Sequence, residues 1–154
     1  MANKSWKKDG PLLTMRGQII QGTNGEKLNI WDGLYTTGYV IEKFIITAQD
    51  PTNTNELLAK LHTSKTTGSI SQWNWNDVQE IAWAAWGTPN PAYVPQELNF
   101  VDPDNLVIEN LYLSTYSTGE SEQLNYMIQM QKYSFPSWEG AGALVTNLSQ
   151  AGPQ

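Results

Sequence analysis

Residues 123–133, QLNYMIQMQKY, repeat with a period of two. Leu124, Tyr126, Ile128 and Met130 fall on one side of an extended chain, and Asn125, Met127, Gln129 and Gln131 on the other. That period belongs to a strand with one buried face, because a helix needs apolar positions three and four apart. The same signature recurs along the chain. YVIEKFIITA (39–48) is rich in β-branched and aromatic residues. Val40, Glu42, Phe44 and Ile46 share one face and Tyr39, Ile41, Lys43 and Ile45 the other; both are largely apolar, which predicts a central strand. ELLAKLHT (56–63) fits a helical stripe through Leu57, Leu58 and Leu61, or a strand through Leu57, Ala59 and Leu61. Its shortness and its β neighbours favour the strand. VQEIAWAAW (78–86) reads as a further strand, and NLVIENLYLSTY (105–116) as another. The change of parity between Ile108 and Leu111 predicts a bulge near Glu109 and Asn110. MRGQIIQGTNGEKLNIWDG (15–33) reads as a hairpin about Asn24-Gly25, a strong turn signal.

Polar turn segments separate these strands: DPTNTN (50–55), SKTTGSISQ (64–72), GTPNPAYVP (87–95) and STGES (117–121). WEGAGALV (138–145) reads as a short helix or a last strand, its glycines opposing a long helix. No long amphipathic helix alternates with the strands, which excludes a doubly wound α/β fold. The expected fold is all-β, an antiparallel β-sandwich of jelly-roll type with extended N- and C-terminal tails. The expected division is an N-terminal arm (1–13), one sandwich domain (14–148) and a C-terminal tail (149–154).

Composition narrows the function classes. The chain has no cysteine, which removes disulfides, zinc–thiolate sites and thiol nucleophiles. The opening MANKSWKKDG is basic but carries no apolar run, and nothing approaches a membrane span, so a soluble chain is expected. Lys4, Lys7 and Lys8 precede every acidic residue, so the rest of the chain has a net charge of −9. Such a body repels phosphate backbones, which makes nucleic acid a poor partner. Ser, Thr, Asn and Gln make up 48 of the 154 residues, against 16% charged. A surface of uncharged polar groups suits broad, wet contacts with neighbours.

Catalytic signals are sparse. His62 is the single histidine, and no G-x-S-x-G elbow, H-E-x-x-H or P-loop occurs. His62 is expected in a structural role at a strand end. Paired carboxylates drawn from Asp77, Glu80, Glu109, Glu120, Glu122 and Glu139 would be the minimum for a glycosidase. VDPDN (101–105) sets Asp102 and Asp104 two apart, as in some calcium loops. It lacks the later glycine and glutamate of an EF-hand and reads as a turn. No cofactor or metal is expected.

Four of the seven tryptophans lie in SQWNWNDVQEIAWAAWG (71–87). Trp83, among small alanines, is expected to fill the sandwich core, with Trp86 near the strand's exit. Trp73 and Trp75 lie between a partner surface and the core edge. With Trp138 and the arm's Lys4, Lys7 and Lys8, they are the candidate contact residues.

DGLYTTGYVIEKFIIT, LHT, WNWND with IAWA, VDPDNLVIENLYL and NYMIQMQKY together resemble small β-sandwich virion proteins of aquatic tailed phages and related viruses, over residues 28–148. The resemblance implies a non-enzymatic capsid, decoration or fibre-associated subunit. Its partners would be other copies of itself and other capsid subunits, and its location the virion, assembled in the host cytoplasm. A carbohydrate-binding module using exposed tryptophans is the first alternative, and a hydrolase of unrecognised type the second.

Overall fold

A computed structural model describes residues 6–52, 55–87, 96–119 and 123–136. Among these residues ten strands form, the longer ones where apolar residues alternate with polar ones: β1 (Lys7–Lys8), β2 (Leu13–Ile20), β3 (Asn24–Asn29), β4 (Thr37–Ala48), β5 (Leu57–His62), β6 (Glu80–Gly87), β7 (Gln96–Val101), β8 (Leu106–Val107), β9 (Asn110–Ser117) and β10 (Gln123–Ser134). They make two antiparallel sheets packed as a β-sandwich. In the first, β10 is flanked on one side by β1 and β2, lying end to end, and on the other by β4, with β8 beyond it. The second runs β3-β9-β5-β6-β7. Four pairings are nested in the chain: β2 with β10, β3 with β9, β4 with β8, and β5 with β6.

The core lies between the sheets. Ile41, Phe44, Ile46 and Ala48 of β4 and Leu124, Ile128 and Met130 of β10 meet Leu57, Ala59 and Leu61 of β5, Ala82, Ala84 and Trp86 of β6, and Leu111 and Leu113 of β9. Full burial of each larger aliphatic chain contributes about 1.5–3 kcal/mol. A smaller cluster of Val40, Leu106, Ile108 and Phe135 closes one end, with Trp6 and Tyr133 packed against it. The charged pair that opens β1 is therefore preceded by an aromatic anchor, Trp6, whose ring lies 6.0 Å from that of Tyr133.

Four sequence expectations need correction. Asn24-Gly25 is not a hairpin turn, because β2 and β3 belong to different sheets. The chain crosses between sheets at Gln21–Thr23, and Gly25, at φ +88°, sits where the β3–β9 register shifts. A glycine in the left-handed region is what such a bulge requires. The parity change at 108–111 is not a bulge within one strand. The chain leaves β8 in the first sheet and enters β9 in the second, so each half obeys its own alternation. In β4 the two-faced pattern breaks at Glu42: Lys43 pairs with Gln129 and Ile41 with Met130, leaving Glu42 as an extra, exposed residue. The core face is therefore Ile41, Phe44 and Ile46, with Val40 in the smaller cluster. Trp83 and Trp86 also differ from expectation, since Trp86 and not Trp83 belongs to the core cluster. The short strand β5 is present as expected, with Leu57, Ala59 and Leu61 fully buried. WEGAGALV, and GTPNPAYVP beyond Gly87, lie outside the described residues. No helix among the described residues is long and apolar enough to cross a membrane.

Candidate binding site on the covered sheet

Trp86 lies in the core with Ala82 and Ala84, so Trp83 must point to the opposite, outer face of the second sheet. It is buried there all the same, because residues 63–79 fold over that face. The expected roles are thus exchanged: Trp86 fills the sandwich, and Trp83 lies beneath a loop. A bulge produces part of this arrangement. Leu61 pairs with Ala82 but His62 with Glu80, so Ile81 is the extra residue. Ile81 turns into the core, and Glu80, which would otherwise share the face of Ala82, emerges beside His62, Lys60 and Trp83.

Glu80 is the centre of the buried polar network. Its Oε2 accepts from Lys60 Nζ at 2.6 Å and Thr67 Oγ1 at 3.3 Å. Its Oε1 accepts from the Asn74 amide at 2.9 Å and Trp83 Nε1 at 3.0 Å. Lys60 also donates to the Gln72 carbonyl at 2.9 Å. The side chains of both Lys60 and Glu80 are only 2% exposed. A buried ion pair is tolerable when its remaining donors and acceptors are met in this way. Three of the contacts, from Thr67, Gln72 and Asn74, come from the covering segment, so the pair holds the loop to the sheet.

A second set of bonds continues from the first. Asn24 exchanges two bonds with the backbone of Thr67, at 2.8 and 3.0 Å. Ser114 Oγ lies 3.2 Å from Asn24 Oδ1 and accepts from the Gly25 amide. His62 Nε2 is 2.7 Å from Ser114 Oγ, and its Nδ1 is 2.8 Å from the Ser64 carbonyl. A carbonyl only accepts, so Nδ1 carries the proton and Nε2 accepts the serine hydroxyl. Burial pushes the His62 pKa down; the Ser64 hydrogen bond opposes this and the Lys60 charge adds to it. The Ser114–His62 distance is that of a nucleophile and its base. Both side chains are fully buried, however, and a backbone carbonyl stands where a carboxylate would orient the ring. The arrangement pins strands and loop together.

On this foundation the loop displays aromatic rings. Asn74 Oδ1 accepts the Asn76 amide and Asp77 Oδ1 the Gln79 amide, which fixes the turn between them. Trp75 is 61% exposed; one side of its ring packs 5.4 Å from Trp83, and Phe100 of β7 meets it edge-on at 5.6 Å. Trp73 makes an edge contact with Phe100 at 6.1 Å. Tilted and edge-to-face pairs of this kind contribute about 0.5–1.5 kcal/mol each beyond burial. Trp73 Nε1 is buried with no hydrogen-bond partner among the described residues. Beside the rings lies a cleft of ≈ 360 Å³ lined by Thr67, Ser69, Gln72, Trp73, Asn74 and Asp77, with Lys60 and Glu80 in its wall.

Of the residues singled out from sequence, Trp73 and Trp75 come together here, joined by Phe100. Lys7 and Lys8 lie on the other sheet, paired with Ser134 and Tyr133. Lys4 and Trp138 fall outside the described residues, as do Glu120, Glu122 and Glu139. Asp77 and Glu80 line one cleft, but both oxygens of Glu80 are taken by donors. Glu109 accepts from the Tyr35 hydroxyl. Asp102 accepts the Asp104 amide within its own turn, and no group of three or more His, Asp or Glu that could hold a metal occurs among the described residues. Lys60, Thr67 and Phe100 were not singled out from sequence. The one available signal for Lys60 and Glu80 was opposite charge in two short, otherwise apolar neighbouring strands. No family model matches the chain, and no curated protein matches it.

Proposed function

We propose that this chain is a non-enzymatic virion structural protein, a capsid or decoration subunit that acts through contacts with copies of itself and other capsid subunits. The nested pairing of β2 with β10, β3 with β9, β4 with β8 and β5 with β6 carries the reading. It is the order left when one long antiparallel hairpin is rolled into two sheets, which supports a jelly roll, an architecture of viral capsid and lectin domains. Fold alone does not give function. Two features favour assembly over chemistry. Lys60, Glu80 and His62, buried beneath the covering segment, are all held in hydrogen bonds to the strands and loop, as a structural network requires. Large apolar side chains also stand exposed at separate places: Leu12, Leu13 and Ile20 on or beside β2, and Trp31, Leu34 and Tyr35 before β4. Scattered contact surfaces of this sort suit a subunit with several neighbours.

The test is quantitative mass spectrometry of virus particles banded on a density gradient, with immunogold labelling of the intact particles. The chain is expected at a fixed copy number per particle and accessible on the shell. Bare particles, with the chain remaining in the cleared lysate as a stable monomer, would overturn the assignment.

A further inference from the structure

We infer that Trp75, with Phe100 and the polar cleft beside Trp73, forms a binding site for a neutral oligosaccharide. The inference goes beyond the virion assignment and does not depend on it. A sugar ring presents C–H groups on its face and hydroxyls around its rim. Its site therefore needs a fixed aromatic shelf beside a few uncharged polar groups. Trp75 supplies the shelf. It is 61% exposed, yet Trp83 and Phe100 support it, so little freedom remains to be lost on binding. Leu98, on the same face of β7 as Phe100 and 56% exposed, extends the apolar strip, which suits a chain of sugar units over a single one.

The polar half has matching chemistry. Thr67, Ser69, Gln72, Asn74 and Asp77 line a cleft of ≈ 360 Å³. Charge selects among saccharides. Lys60, the cation in the cleft wall, is neutralised by Glu80 at 2.6 Å, Asp77 adds a carboxylate, and the body carries net negative charge. Sulfated and uronic sugars are disfavoured on that ground. A protein partner fits less well, because anchors of protein contacts sit in surroundings that exclude water, whereas exposed Gln72, Asn74 and Asn76 flank Trp75.

The experiment is calorimetric titration of the full chain with cello-, xylo-, manno- and laminari-hexaose, with heparin as the acidic control and tryptophan fluorescence as a second readout. At least one neutral hexaose is expected to bind. Trp75→Ala is expected to weaken it about thirtyfold, the scale of a truncated tryptophan anchor. Trp75→Phe should keep most of the affinity, and Trp31→Ala, at the other exposed aromatic cluster, should leave it unchanged. Circular dichroism checks that each variant folds. Three results would overturn the proposal: no binding to any neutral hexaose, binding unaltered in Trp75→Ala, or tighter binding of heparin. A change of oligomeric mass in Trp75→Ala without saccharide binding would assign the shelf to a protein contact instead, and whichever result is found leaves the particle-composition test untouched.

Discussion

Glu80 collects four donors, from Lys60, Thr67, Asn74 and Trp83, although nothing around it in QEIAWAAW marks it as central. Its position depends on one extra residue, Ile81, and because residues 81–86 are all apolar, no change of parity marks the bulge. Trp83 is legible as buried, but not the face on which it is buried. Trp83 and Trp86 differ by three positions and so face opposite ways, and the sequence does not say which face a loop covers. Glu80→Ala would leave the Lys60 ammonium buried without a counter-ion, a loss of about 3–5 kcal/mol. Lys60→Met with Glu80→Leu should recover most of that, since both charges are gone. Urea denaturation of the three proteins checks it; equal losses in the single and double variants would refute the account. His62 gives a pH-dependent counterpart. Its folded pKa lies below its value in the unfolded chain because the ring is buried. Between the two values the unfolded chain binds more protons, so stability rises with pH there. This contribution is complete above about pH 6.5, the unfolded value, and is lost as pH falls toward the folded one. His62→Gln should remove this slope from urea midpoints measured between pH 5 and 7.5, leaving only the carboxylate dependence.

At the scale of elements, most strands were legible because most of them bury one face, and the period of two survives burial. The connections were less legible. Asn24-Gly25 has the chemistry of a hairpin turn, and its glycine does adopt positive φ, but at a bulge that begins β3. Local sequence specifies the backbone conformation there; which strand pairs with which is decided by residues far away. Strand β7 was missed because its six residues are almost wholly exposed and carry no buried face to betray them. Gly25 also shows how the covering segment is seated. A Cβ at this position would collide with the Lys65 carbonyl oxygen. Gly25→Ala is therefore expected to cost about 2–3 kcal/mol, from a disfavoured backbone region together with displacement of the loop. Hydrogen exchange separates the two contributions: the β10 amides are expected to lose protection only by the drop in global stability, and the Asn74 amide, which donates to Glu80, by a larger factor. Uniform acceleration would mean that only global stability had changed. The same displacement would loosen Trp75, so a weaker saccharide interaction in Gly25→Ala would link the network beneath the loop to the shelf above it.

For the whole molecule, nesting sets the order in which the chain can assemble. Gln18 and Asn125 are hydrogen-bonded at 2.9 Å across 107 positions of sequence, and the β2–β10 pairing they belong to closes the outermost layer of the nest. The innermost pair, β5 and β6, is far closer in the chain, and its residues form the floor of both the core and the covered face. Loop closure makes distant pairings slow, so a sandwich of this kind folds in roughly milliseconds to seconds. The seven tryptophans provide the signal for stopped-flow refolding. Leu61→Ala, in fully buried β5, should slow folding markedly, because the inner pair must form before the outer layer can close over it. Ile19→Val, in β2, should act chiefly by accelerating unfolding, as expected for contacts made after the transition state. The reverse pattern, with β2 sensitive in the folding limb and β5 silent, would mean that the first sheet forms early and the second is laid upon it. In that case the Lys60–Glu80 network would be a late addition, and its loss in Glu80→Ala should leave the folding rate unchanged while the unfolding rate rises.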